Sequence, residues 1–192
     1  MNDLAIVIPC RNEIRSIFKI LNKLKRYKVI LVNDRSTDGL VEGMNKYKNI
    51  TLINNKKQIG YEKSILKGFK YLLKSNHKKI KYILTMDADG EHNPVYVSKI
   101  HKKIKSNNFD LIIGNRSKKN RKSEIIISQL FKKKYNFEDP LSGFKIYNKK
   151  KLFHYFPKCK EKFFLTELCV FFAKSNYKIS NFKIITKKNL VR

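Results

Sequence analysis

The chain has 192 residues, 42% of them hydrophobic, enough to bury one real core and too ordered in composition to be mainly a disordered tail. Its 44 Lys and Arg against 15 Asp and Glu give a formal charge of +29, a surface that attracts polyanions such as nucleic acid, anionic lipid head groups or phosphorylated substrates. Lysine, asparagine and isoleucine are used heavily from end to end, so the charge by itself selects none of these partners.

Met1 runs directly into an apolar stretch and then Pro9, with no basic start, long apolar run or cleavage site, so no export signal is expected. Short β-branched runs at residues 5–8, 29–33, 50–54, 82–87 and 111–114 predict buried strands. Between them lie stripes at helical spacing: Ile14, Ile17, Phe18, Leu21 and Leu24; then Ile65, Phe69, Leu72 and Leu73; then Val97, Ile100 and Ile104 behind Pro94. Strand alternating with helix predicts an α/β fold, a mainly parallel sheet covered by helices on both faces, with ligands bound beyond the carboxyl ends of the strands.

Residues 116–134 differ, being dominated by basic residues around a small apolar patch at 125–131, and read as an excursion from the sheet. After it, residues 143–147 predict a strand, 163–175 a buried helix and 178–185 an alternating edge strand. The apolar stretch 163–173 is broken by Glu167 and is shorter than the roughly 17 to 25 residues a spanning helix needs. Cys10, Cys159 and Cys169 form no C-x-x-C pair and have no metal-ligand spacing, which predicts reduced thiols and a cytoplasmic setting. His77, His92, His101 and His154 are scattered, which predicts surface positions for most of them, and only His92 neighbours the polar loops described next.

The unusual polar residues follow predicted strands: Pro9, Arg11 and Glu13 after the first, Asp34 to Asp38 after the second, Asp87, Asp89 and Glu91 after the fourth. Two carboxylates two residues apart at a strand end, with a third behind, offer hard oxygen ligands for Mg²⁺ or Mn²⁺ shared with substrate phosphates; the competing reading of Asp-x-Asp is a solvated turn. Asp34 offers an acceptor to the N–H groups of a base, and Asp38 reads as a turn or helix cap.

Five segments in order, IVIPCRNE (6–13), ILVNDRSTDG (30–39), MDADGEH (86–92), GNR (114–116) and DPLSGFK (139–145), resemble the motifs of family-two inverting glycosyltransferases. The resemblance covers most of residues 4–147 and is nearest to the polyprenyl-phosphate branch, similar to dolichyl-phosphate mannosyltransferases. It implies a single Rossmann-like GT-A domain, with residues 1–115 as the nucleotide-sugar-binding half and 116–192 as the acceptor-binding half. Pro9, Arg11, Glu13, Asp34 and Asp87 would line the nucleotide pocket, and Asp87, Asp89 and Glu91 would hold Mg²⁺ or Mn²⁺ with the diphosphate. Asp89 and Arg116 would be the catalytic residues, and Arg116, Ser142 and Lys145 would face an acceptor phosphate. The implied partners are a UDP- or GDP-sugar, a polyprenyl phosphate and an anionic membrane surface at the cytoplasmic face, with no nucleic acid.

Three residues depart from the family pattern: Arg11 stands where an aromatic is usual, Glu91 where Gln is usual, and Lys145 where Arg is usual. The stretch between Arg116 and Asp139 is shorter than in the lipid-phosphate enzymes, where it contributes helices near the membrane. The alternatives are transfer to a glycan hydroxyl, with Glu138, Asp139 or Glu167 as base, and a basic nucleic-acid-binding or degenerate non-catalytic protein.

Overall fold

A computed structural model describes residues 3–74, 77–119, 121–156 and 164–186. Seven strands form one sheet: β1 (Leu4–Cys10), β2 (Lys28–Asn33), β3 (Ile50–Asn54), β4 (Tyr82–Thr85), β5 (Leu111–Arg116), β6 (Lys145–Asn148) and β7 (Ile179–Ile184). Their order is β3-β2-β1-β4-β6-β5-β7, parallel throughout except that β6 runs antiparallel to both β4 and β5.

Near its middle the sheet is buried on both faces because residues 4–8 of β1 and 29–32 of β2 are apolar at every position. In β1, Leu4, Ile6 and Ile8 enter one core while Ala5 and Val7 enter the other, and β2 divides Val29 and Leu31 from Ile30 and Val32 in the same way. Helices α1 (Ile14–Lys23) and α3 (Val95–Ser106) cover the first face. Helices α2 (Tyr61–Leu73), α5 (Lys149–Tyr155) and α6 (Phe164–Lys174) cover the second. The predicted stripes are the buried faces: Ile17 and Leu21 in α1, Ile65, Phe69 and Leu72 in α2, Val97, Ile100 and Ile104 in α3. Gly68 lets α2 lie directly on β1, since a Cβ there would sit 2.5 Å from Val7 Cγ1.

The excursion after β5 is a helix, α4 (Lys122–Tyr135), whose one buried residue is Ser128. It leaves Ile125, Ile126 and Leu130 at 45, 57 and 60% exposure among lysines. The predicted fourth strand stops short, at Thr85, because its neighbour β6 pairs with it only from Lys145 onward. The edge strand lies as expected: β7 is the sheet's border, parallel to β5.

The surface reading of the histidines needs correction. Only His154 is exposed; His101 is buried with Nε2 3.1 Å from Asp3, and His77 is buried beside Lys28. Cys10 and Cys169 are free, buried thiols, while Cys159 and Phe163 lie outside the described residues. Among the described residues no helix is long and apolar enough to cross a membrane.

Candidate active site

β1, β2 and β4 run in parallel, so the loops after them gather on one rim, and cross-bonds tie them together. The Asp34 N–H donates to Cys10 O at 2.8 Å, the Thr37 N–H to Asn12 Oδ1 at 2.8 Å and the Asn12 N–H to Ser36 Oγ at 3.1 Å. Asp38 is a cap, although of another element's helix: its carboxylate accepts the Ile14 N–H at 2.8 Å, meeting one of the unpaired donors that open α1. Ser16, in the first turn of α1, donates to Ala88 O at 2.7 Å and so braces the loop after β4. Pro9 and Cys10 are buried, Arg11 is exposed and Glu13 half-buried. Burial pushes the Cys10 thiol up to about 12, which removes it as a nucleophile.

Asp34 is 4% exposed, and its carboxylate is already occupied. It accepts the N–H groups of Ile59 (2.8 Å) and Gly60 (2.9 Å) and the Asn55 amide (2.9 Å), three of about four acceptor positions. Burial alone would raise its pKa, but these donors hold it below the usual carboxylate value. In this arrangement Asp34 organises the loop between β3 and α2, and little of it is left for a base.

Asp87 and Asp89 are half-buried beyond β4. Asp87 Oδ1 accepts the Tyr61 hydroxyl, its Oδ2 lies 3.5 Å from His92 Nδ1, and its backbone N–H donates to that same ring nitrogen at 3.3 Å. Asp89 Oδ1 accepts the Glu91 N–H at 3.0 Å across a turn at Gly90, whose φ of 86° suits glycine. The Glu91 pKa is raised, first by burial and then by the charges of Asp89 and Asp87. Among the described residues no three ligand side chains converge tightly enough to hold a metal unaided. The donor set nevertheless fits a divalent cation shared with a diphosphate, because the negative charge that Asp89 and Asp87 crowd against Glu91 is relieved by a cation while substrate oxygens complete its shell.

Arg116, at the end of β5, is clasped by Asp139: Nε to Oδ2 and Nη2 to Oδ1 at 2.8 Å each, and the backbone N–H to Oδ2 at 3.0 Å. Glu124 Oε2 of α4 lies 3.7 Å from Nη2. The pair raises the guanidinium pKa still further and, against the effect of burial, holds the Asp139 carboxyl below its usual value. Glu138 is likewise paired, with Lys132 Nζ at 2.8 Å and with the Asn115 amide, and its pKa is lowered chiefly by the Lys132 bond. Neither carboxylate is poised as a base near neutral pH.

Ser142 and Lys145, expected to face an acceptor phosphate, are both 0% exposed. Lys145 donates to Ser142 O, and burial lowers its pKa. The two residues brace the loop from within and present no surface to an acceptor in this arrangement.

Three residues at the rim were not singled out from sequence: Asn55, Tyr61 and Gly143. The loop from Asn55 to Tyr61 joins β3 to α2. The signal available there was its place after a parallel strand, the position where the other loops carry function.

The chain matches Glycosyl transferase family 2 over residues 5–170. It belongs to that family. It is therefore a glycosyltransferase. It is 34% identical over 160 residues to an uncharacterised protein of Methanocaldococcus jannaschii, covering 73% of this chain and 69% of that one. It is 27% identical over 120 residues to the dolichol-phosphate mannosyltransferase of Saccharomyces cerevisiae, covering 56% of this chain and 43% of the yeast protein. Its fold is that of the glucosyl-3-phosphoglycerate synthase of Mycobacterium tuberculosis solved with UDP, with a TM-score of 0.74 at 12% identity over all of this chain and 73% of that one. The same synthase has been solved with Mn²⁺, UDP-glucose and glycerol 3-phosphate, at a TM-score of 0.70 and 14% identity over the same shares of the two chains. The GT-A architecture implied by the motifs is thus the architecture present.

Proposed function

We propose that this glycosyltransferase moves a sugar, with inversion, from a UDP- or GDP-sugar to the phosphate of a polyprenyl phosphate. The observation that carries the acceptor reading is the pairing of Glu138 and Asp139. With both carboxylates committed to cations and their pKa values lowered, neither is offered as a base, and an ionised phosphate oxygen needs none. The resemblance of the five motif segments together to the polyprenyl-phosphate branch and the distant likeness to the yeast enzyme support it.

Asp87, Asp89 and Glu91 would hold Mg²⁺ or Mn²⁺, which supplies counter-charge to a departing nucleoside diphosphate. Asp89 and Glu91 keep the rim acidic enough to retain the cation, while Arg11, exposed beside the first loop, offers a guanidinium to phosphate oxygens. Arg116 acts at the acceptor: Asp139 holds its side chain at a set orientation, so that its charge is placed in advance of an incoming phosphate monoester. α4, the next element after Arg116, carries Ile125, Ile126 and Leu130 outward among lysines, a face suited to lying on an anionic membrane where a polyprenyl acceptor resides.

The test is purified protein with Mn²⁺ or Mg²⁺, a panel of UDP- and GDP-sugars, and polyprenyl phosphate or neutral sugar acceptors. The expected product is a polyprenyl-phosphate sugar of inverted anomeric configuration. If only hydroxyl acceptors are glycosylated, and Glu138, Asp139 or Glu167 proves essential to that rate without loss of fold, the lipid-phosphate reading is overturned.

A further inference from the structure

Tyr61 lies outside the five motif segments, yet it touches the first carboxylate of the Asp-x-Asp pair. Its hydroxyl donates to Asp87 Oδ1 although the residue is 42% exposed, so the core does little to hold it there. The backbone does. Asp34 receives the N–H groups of Ile59 and Gly60, Gly60 takes a φ of 88°, and α2 starts with Tyr61 as its first residue. The nucleotide-side loop therefore ends in a phenol aimed at Asp87.

The acceptor-side loop reaches the same carboxylate and the phenol bonded to it. A Cβ on Gly143 would lie 2.5 Å from Asp87 Oδ2, closer still to Oδ1, and 2.6 Å from the Tyr61 hydroxyl oxygen. No side chain fits. Thr85 Oγ1 donates to Gly143 O at 2.7 Å, and the Lys145 ammonium donates to Ser142 O, so this loop is anchored where it presses. The Asp87 side chain is thus touched by both a donor on α2 and a glycine on the acceptor loop.

Resting on the reading of Asp87 and Asp89 as the cation- and diphosphate-binding pair, we propose that Tyr61 is a positioning residue for Asp87, and that the Tyr61–Asp87–Gly143 contact couples the acceptor loop to donor binding. A carboxylate at a strand end samples several orientations. A phenol on one oxygen selects a single orientation and leaves the other oxygen to a ligand, and a hydrogen bond to a charged group changes such an equilibrium by roughly ten- to a hundred-fold. Gly143 supplies the wall that keeps the carboxylate from turning away, so a shift of the acceptor loop relaxes Asp87.

The experiment measures binding, not turnover, on the whole chain. UDP and GDP binding is followed by calorimetry across a Mn²⁺ titration for wild type, Tyr61→Phe, Gly143→Ala and the double variant, with melting curves for each. The expected result is that Tyr61→Phe melts like wild type but needs at least about ten-fold more Mn²⁺ for half-maximal nucleotide binding. Gly143→Ala shifts the midpoint in the same direction, and the double variant is no worse than the worse single, because both act through one carboxylate. An unchanged midpoint in Tyr61→Phe, with wild-type binding intact, overturns the role of Tyr61 alone. Additive shifts in the double variant overturn the coupling. A wild-type chain that binds neither nucleotide in Mn²⁺ overturns this inference together with the nucleotide-sugar reading beneath it.

Discussion

Replacing Asp139 by Asn isolates the clasp on Arg116. Asp139 is 1% exposed and accepts three N–H groups of Arg116, whose own side chain is 11% exposed. Residue 139 has φ of 54°, which Asn adopts as readily as Asp, so the change adds no backbone strain. What it removes is the charge, leaving a guanidinium largely out of water with Glu124 3.7 Å away as its remaining carboxylate. Deleting one partner of a buried pair costs about 3–5 kcal/mol, and Glu124 offsets part of that, so a loss of about 3 kcal/mol is expected. At about 2–4 °C per kcal/mol for a domain of this size, the melting temperature should fall by roughly 6–12 °C. The pH dependence checks the cause. The folded Asp139 pKa lies below the unfolded value of about 3.9, so the contribution is complete above that value and is lost as pH falls through the folded pKa. The gap in melting temperature between wild type and variant should be constant from about pH 8 to 5 and close below about pH 4. A variant that melts within about 2 °C of wild type at neutral pH would refute the reasoning.

Gly68→Ala should destabilise by about 1–3 kcal/mol from overpacking against Val7, less up to about 1 kcal/mol of helix propensity, read as a shift in urea midpoint with unchanged slope. Chelation, or Asp89→Asn, should abolish transfer and leave the melting curve of the metal-free chain in place; full activity under either would remove the cation from the reaction. Ile126→Asp with Leu130→Asp should lower sedimentation with anionic vesicles, and salt should weaken wild-type binding, because each basic residue near such a surface contributes about 1 kcal/mol. Equal binding to neutral vesicles would refute the electrostatic part of that account.

The sheet was readable wherever burial on both faces forces an unbroken apolar run, as in β1 and β2, and the covering helices wherever one stripe meets the sheet, as in α1 and α3. Direction was not readable at residues 145–148, because a short strand's pattern looks the same either way along the chain, and β6 proves antiparallel. α4 escaped as a helix because Ile125, Ile126 and Ile127 are consecutive and mark no single face. The site followed the same rule. Carboxylates after strands advertise a rim, but what they bond to depends on residues far along the chain. Asp34 is spent on Ile59 and Gly60, Asp87 on Tyr61, and the Lys145 ammonium is enclosed by a loop whose fold only the assembled sheet defines.

The antiparallel run of β6 has a consequence for how such a chain can change its acceptor. Because β6 begins where β4 ends, the segment leaving β5 at Arg116 and the segment arriving at Asp139 come back to one point, and the ion pair between those two residues closes the circuit. The outward face of α4 hangs outside that closure, while Phe137 just behind the helix is packed in the core and Glu124 leans on Arg116. Ile125, Ile126 and Leu130 on that face are largely exposed, so trading them for polar residues should leave every strand register as it is.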